Sequence, residues 1–376
     1  MAGIYIHIPF CQSRCIYCGF YSTTALDQRQ RYVDAVCKEW LLRSGKNNEE
    51  DGTNNECIDT IYLGGGTPSQ LTDSQLRQLF NTLPSTNGEV TIEVNPDDIS
   101  VPYVEMLSKL PVNRISVGVQ TFADQRLHFL HRRHTAKQVT QAISLLRDAG
   151  FRNISVDLMY GFPHETMDDW QYDIDQALAL RVEHISAYCL MVEEGTPLQR
   201  MGIKPCDEEL ERQMYYTLID RLSEDGYEHY EISNFAKPGY RSRHNSSYWN
   251  DIPYIGLGAA AHSYQKATKG NGPLMYRSWN VSDIRQYMES IEQGTLPSEH
   301  EVLDENTRYN DRVATALRTS DGLDLSALSD RQRRYCEQEA TPLLKDGLLR
   351  QEGNCLILTR EGLFVSDMVM SSLILV

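Results

Sequence analysis

The chain opens with an apolar run, GIYIHI over residues 3–8, which passes through a polar loop into a helical pattern near 28–42. The same pairing of a β-rich run with an amphipathic stretch recurs down the chain. Its later runs are TIYLGG (60–65), EVTIEV (89–94), RISVGV (114–119), NISVDLMYG (153–161) and HISAYCLM (184–191). The stretches between them predict helices near 72–83 and 101–109, more through about 149, then 168–180 and 207–225. Six strand–helix units in roughly 225 residues imply a parallel sheet with helices outside it. Six units fall short of the eight of a closed barrel, so the expected fold is α/β, a partial (β/α)6 barrel. Ligands of such a fold gather at the C-terminal ends of the strands.

Past about residue 235 the pattern changes. KPGYRSRHNSSYWNDIPYIGLGAAAHSY is rich in aromatics, Gly and His and has no clear helical period. The chain therefore divides into a barrel over 1–235, a connecting segment over 236–303 and a compact C-terminal domain over 304–376. The last predicts a helix at 304–318, a short one at 324–328, another at 331–346 and a hairpin in LLRQEGNCLILT, a winged-helix-like order. SGKNNEEDGTNNE at 44–56 reads as a solvated surface loop.

Composition narrows the function. At 41% hydrophobic residues, the 376-residue chain has apolar material for a large core and a smaller second one. A net charge of −16 argues against the basic footprint of a general nucleic-acid binder, so the tail is expected to pack or to interact. Nine cysteines, an odd count on a long chain, speak against a disulfide framework. The N-terminal sequence has no basic n-region, and no stretch approaches the roughly 20 apolar residues of a spanning helix. The expected location is the cytoplasm.

Three cysteines crowd into Cys11-Gln-Ser-Arg-Cys15-Ile-Tyr-Cys18. Thiolates are soft ligands that suit iron–sulfur clusters or zinc. A structural zinc takes four ligands, commonly in paired sets, and here only His7 stands near as a fourth. A four-iron cube on three thiolates leaves one iron open. Cys37, Cys57, Cys189, Cys206, Cys336 and Cys355 read as ordinary small residues. Gly64-Gly65-Gly66-Thr67 ends the second run, where glycines let the backbone approach a ligand. Glu93 and Gln120 fall at the ends of the third and fourth runs, and Arg132 follows. Asp157 sits among the apolar residues of the fifth run, where an acid is costly unless it is paired or ligand-bound.

The cysteine spacing, with Tyr17 just before the last thiol, resembles the radical-SAM signature. YIHIPFC, GGGTPS, IEVNPDD, ISVGVQTF, DLMYGFP and HNSSYW followed by YIGLGAAAHS together resemble one branch of that superfamily, from residue 3 to the end. The branch holds the oxygen-independent coproporphyrinogen III oxidases (HemN-like) and the haem chaperones of the HemW type. The resemblance implies a 4Fe–4S cluster on Cys11, Cys15 and Cys18 whose open iron binds S-adenosylmethionine. It implies contacts to that cofactor from Tyr5, Tyr17, Gly19, Gly65, Gly66, Thr67, Glu93, Gln120, Arg132, Asp157 and Met191.

Two departures favour the chaperone side of the branch. Phe20 stands where the oxidases carry a further cysteine, and the sequence begins almost at its first strand, without the oxidases' N-terminal extension. His244, in HNSSYW, is a competent haem-iron ligand, and Tyr248 and Trp249 are suited to pack on a porphyrin face. The resemblance implies a chaperone that carries haem as cargo to acceptor haem proteins, among them respiratory, membrane-associated ones, with room for a homodimer. The alternative is an oxidase of porphyrin biosynthesis acting on coproporphyrinogen III. No catalytic side chain is assigned.

Overall fold

The computed structural model describes residues 2–46, 58–268 and 273–375. Cys57 and residues 47–56 of the polar loop lie outside them. The first six strands are β1 (Ala2–Ile8), β2 (Ile58–Gly65), β3 (Glu89–Val94), β4 (Arg114–Gln120), β5 (Ile154–Tyr160) and β6 (His184–Cys189). They lie side by side in that order, all parallel, with helices in the crossovers. The helices begin where the local chemistry allows. Thr72 with Gln75, Thr135 with Gln138 and Thr166 with Asp169 form reciprocal caps at the starts of Asp73–Thr82, Ala136–Asp148 and Met167–Ala179. The helical stretch expected through about 149 is two helices, Asp124–Phe129 and Ala136–Asp148.

The sheet is larger than six strands. β7 (Glu228–Glu231) and β8 (Asn234–Ala236) extend it beyond β6, antiparallel. On the other side β9 (Tyr254–Leu257) pairs parallel with β1. β10 (His262–Thr268), β11 (Pro273–Asn280) and β12 (Ser298–Val302) follow it as an antiparallel run. Among the described residues, 236–303, expected as a connection, thus supply four strands of a 12-stranded sheet. Glycine hid one of them. A Cβ on Gly256 would lie 2.0 Å from the His262 carbonyl oxygen, so this strand position cannot carry a side chain.

Alternation along the strands divides outside from inside. Ile4, Ile6 and Ile8 pack fully buried with Tyr32, Val33 and Val36 of the first long helix, Arg29–Lys46. Tyr5 and His7 take the opposite face, inside the barrel. On β4, Ile115, Val117 and Val119 join the core, while Arg114, Ser116, Gly118 and Gln120 face inward. The barrel interior is therefore polar by sequence.

The C-terminal region folds round its own apolar cluster, including Tyr309, Val313, Leu317, Leu343, Leu356 and Val369. Helices Glu305–Ala316 and Asp330–Lys345 precede the hairpin Leu349–Glu352 and Cys355–Leu358, with strand Leu323–Asp324 completing a small antiparallel sheet. Two short helices, Arg360–Phe364 and Ser366–Ser372, close it. Among the described residues no helix is long and apolar enough to cross a membrane.

Candidate functional site

The cysteine loop leaves the C-terminal end of β1 and is pinned on several sides. The Thr23 amide donates to the Pro9 carbonyl at 2.7 Å, and the Cys11 amide to Thr23 at 2.9 Å. Ile16 is buried between Leu130 and Leu198, whose backbones it bonds. The three thiols are thus held above the strand ends, at the mouth of a cavity of 550 Å³. Thr67 Oγ1 donates to Cys11 Sγ at 3.4 Å, and Arg132 Nη1 to Cys15 Sγ at 3.7 Å. Burial pushes the Cys11 and Cys18 thiols above their ordinary range.

Among the described residues no group of three or more His, Cys, Asp or Glu is spaced to hold a single metal ion. His7 is no fourth ligand. One ring nitrogen pairs with the Tyr5 hydroxyl at 3.0 Å and the other with the Tyr21 carbonyl at 2.8 Å.

The strand ends below the thiols bring together most of the expected residues. Gly65, Gly66, Thr67, Glu93, Gln120, Arg132, Asp157 and Met191 line the cavity, as do Tyr17 and Gly19 of the loop. Gly65 has φ +108°, and a Cβ on it would sit 2.5 Å from the His7 ring; one on Gly66 would sit 2.7 Å from the Pro9 backbone. The glycines let β2 run this close to β1. Glu93 accepts from Tyr62 OH at 2.7 Å and from the Gly65 amide at 3.1 Å. Burial raises its pKa to about 7 against those two hydrogen bonds. Asp157 accepts from Ser116 Oγ at 3.4 Å and is raised by burial to about 6. Gln120 lies past a register shift in the β4–β5 pairing and has φ +70°, a strained backbone that re-aims its side chain. Arg132 donates to Asn95 Oδ1 at 2.8 Å and to the Gly118 carbonyl, tying the wall to the cysteine loop. Met191, 61% exposed, and Phe20, 69% exposed, stand on the rim.

Two expected residues lie elsewhere. Tyr5 is below the cavity, its hydroxyl on His7 and its ring near Tyr62 and His244. His244 sits at the N-terminal ends of the strands, the end away from the thiols, on helix Arg243–Trp249. It is 1% exposed, with Nδ1 on Thr60 Oγ1 and Nε2 on the Tyr248 hydroxyl, both at 2.8 Å. Its ring stacks on Tyr62, and burial lowers its pKa to about 3. In this conformation neither nitrogen is free for iron. The Arg318 guanidinium covers the Trp249 ring at 4.9 Å, and Tyr248 abuts Tyr254 edge-on. The motif HNSSYW here closes the barrel floor and joins it to the C-terminal region. Sequence reasoning missed Ser116, Gly118 and Tyr188, which also line the cavity. Their alternation with the core residues of β4 and β6 was the available signal.

Comparison with known proteins follows these lines. Residues 5–177 match the radical SAM superfamily and residues 303–365 the HemN C-terminal domain. The chain is 33% identical to the heme chaperone HemW of Bacillus subtilis over 98% of both chains. It is 31% identical to that of Lactococcus lactis, covering 99% of this chain and 97% of the relative. The chain belongs to the HemW family of haem chaperones. The relatives thus support the chaperone side of the branch over the oxidase side. The solved structure of Escherichia coli coproporphyrinogen III oxidase, HemN, described as a radical SAM enzyme, superposes with a TM-score of 0.81. It covers 99% of this chain and 89% of its own at 22% identity, which shows the shared fold.

Proposed function

We propose that this chain is a haem chaperone that binds haem and passes it to an acceptor haem protein, while keeping a working cluster and S-adenosylmethionine site. The observation that carries the haem part is family membership over nearly the full length. The observation that carries the cofactor part is that Cys11, Cys15 and Cys18 line one cavity together with acceptors and a cation. A four-iron cluster on these thiolates supplies an open iron for the amino and carboxylate groups of S-adenosylmethionine. The chain's own residues do the rest. Gly65, Gly66 and Thr67 bring the backbone against the ligand. Glu93 and Asp157 accept hydrogen bonds from ribose and adenine groups. Arg132 and Gln120 hold the far wall, and Tyr17 and Met191 cover the ligand from the mouth.

Haem titration of clustered and cluster-free protein tests the reading. A Soret shift that saturates, followed by transfer to an apo haem protein, is the expected result. Anaerobic incubation with S-adenosylmethionine, a reductant and coproporphyrinogen should give no protoporphyrinogen. Product formed over many turnovers would overturn the proposal in favour of an oxidase. The acceptor is expected to be a haem protein of the respiratory kind.

A further inference from the structure

Below the cavity floor the barrel buries a cation with unmet hydrogen-bond donors. Arg114 opens β4 and leads its inward series, two residues before Ser116 and four before Gly118, both of which line the cavity. Its side chain is 1% exposed, and Nε and Nη1 have no hydrogen-bond partner among the described residues. Its register partner on β3, Thr91, is also buried with an unpartnered hydroxyl. A buried guanidinium with unmet donors is costly.

The surroundings of Arg114 say what its charge acts on. Facing it are Tyr62 of β2, Glu93 of β3, Asp157 of β5, His184 of β6, Tyr230 of β7 and His244 of the floor helix. His184 is held by Ser155 and Tyr230, and His244 by Thr60 and Tyr248. Both histidines are neutral, so the acids that face the cation are Glu93 and Asp157. In register Glu93 sits beside Ser116 and Asp157 beside Gly118, one and two inward steps above Arg114. Each inward step is about 7 Å, so an extended arginine spans the one step to the level of Glu93, and Asp157 lies one step beyond.

We propose that Arg114 is a positioning residue for the cavity, whose buried charge favours the ionised form of the Glu93 and Asp157 carboxylates, as acceptors for the ribose hydroxyls and counter-charges for the sulfonium of S-adenosylmethionine. The proposal rests on the cofactor reading above. It explains why the barrel keeps an arginine where an apolar residue would pack at less cost. With Arg114 in place burial, joined at Glu93 by the Asp157 charge, raises Glu93 to about 7 and Asp157 to about 6; without Arg114 both rise further. Tyr5, Tyr188 and Arg132 also face these acids, and of these Arg132 alone opposes the rise.

The test uses reconstituted protein with Arg114→Met and Arg114→Lys. In the ligand-free state, the infrared band of protonated carboxyl that disappears in Glu93→Gln is titrated. Arg114→Met should move its midpoint up by about one pH unit, and Arg114→Lys should move it little. S-adenosylmethionine affinity in Arg114→Met should fall roughly tenfold at about pH 7 and recover at about pH 9, with Arg114→Lys close to the unsubstituted protein. An unmoved infrared midpoint, or a loss of affinity equal at all pH values, would overturn the proposal. Absence of S-adenosylmethionine binding in the unsubstituted protein would overturn the cofactor reading and the ligand half of this one. A shifted midpoint would still uphold the electrostatic half.

Discussion

At the C-terminal ends of the strands, Cys11, Cys15 and Cys18 stand over an open cavity with Glu93, Asp157 and Gln120 on its walls. At the opposite end Tyr5, Thr60, Tyr62, His244 and Tyr248 form a closed layer of stacked and hydrogen-bonded rings. The two ends draw on similar side chains. At the open end, acids are raised by burial and thiols face a cavity. At the closed end, both nitrogens of His244 and of His184 are tied off inside the protein. A motif rich in His and aromatics can therefore be scaffold, and geometry tells it from a site. This contrast also separates loss of ligand from loss of fold, and each substitution below is chosen to affect one and not the other.

The largest effect is expected at the open end. Cys15→Ala should abolish the cluster and with it S-adenosylmethionine binding, read as iron and sulfide per chain and as visible absorbance. The loop thiols lie outside the apolar clusters, so unfolding by urea should change by less than about 1 kcal/mol. A full cluster in Cys15→Ala would remove these thiols from the site.

The converse substitution is His244→Ala. It removes a packed ring and leaves Thr60 Oγ1 and the Tyr248 hydroxyl without their partner. A loss of about 2–4 kcal/mol in urea unfolding is expected, with cluster content unchanged. The same residue gives the fold an acid limit. Its folded pKa of about 3 lies below the usual 6.5, so its stabilising contribution is present above 6.5 and is lost as pH falls toward 3. Replacing it should flatten stability across that window. Haem affinity that collapses while urea stability holds would break the contrast and return His244 to the haem site.

How far the sequence could see this division follows from what each signal encodes. The run-and-helix alternation placed β1 to β6 within about two residues, because strands packed under helices must be apolar at alternate positions. The cysteine loop and the strand-end acids were legible because their spacing is local. The strands of 254–302 were not, since Gly256 answers to a carbonyl of β10 and not to its own neighbours. Nor was the place of His244. Its partners Thr60 and Glu89 lie more than 150 residues away in sequence, and only the crossover of the chain brings them together. Arg114 was missed for the same reason. A charge at the start of a strand looks solvated until the barrel closes round it.

The open end should also titrate. Glu93→Gln removes one acceptor, and a weakening of S-adenosylmethionine binding by about 1–3 kcal/mol is expected in calorimetry. In the unsubstituted protein, affinity should rise with pH through about 6 and about 7, as Asp157 and then Glu93 lose their protons. Ionised forms of these acids are disfavoured by burial, so the empty fold itself should lose some stability over the same rise. A flat affinity profile over that range would mean that the ligand does not meet these carboxylates.

The smallest effect sharpens the closed end. Trp249 lies under Arg318, and its buried Nε1 has no partner among the described residues. Trp249→Phe keeps an aromatic face for the guanidinium and removes an unsatisfied donor. The weaker cation–π contact and the relieved donor oppose each other, so the net change should stay under about 1 kcal/mol. Arg318 also faces Glu231 at 3.6 Å and so stays anchored when the ring shrinks. If the ring only joins barrel to C-terminal region, haem titration should be the same before and after the change. If a porphyrin packs on it, haem affinity should fall more than stability does, because Phe offers the smaller face. The Arg318 side chain already occupies one face of the indole, so the expected result is unchanged haem binding.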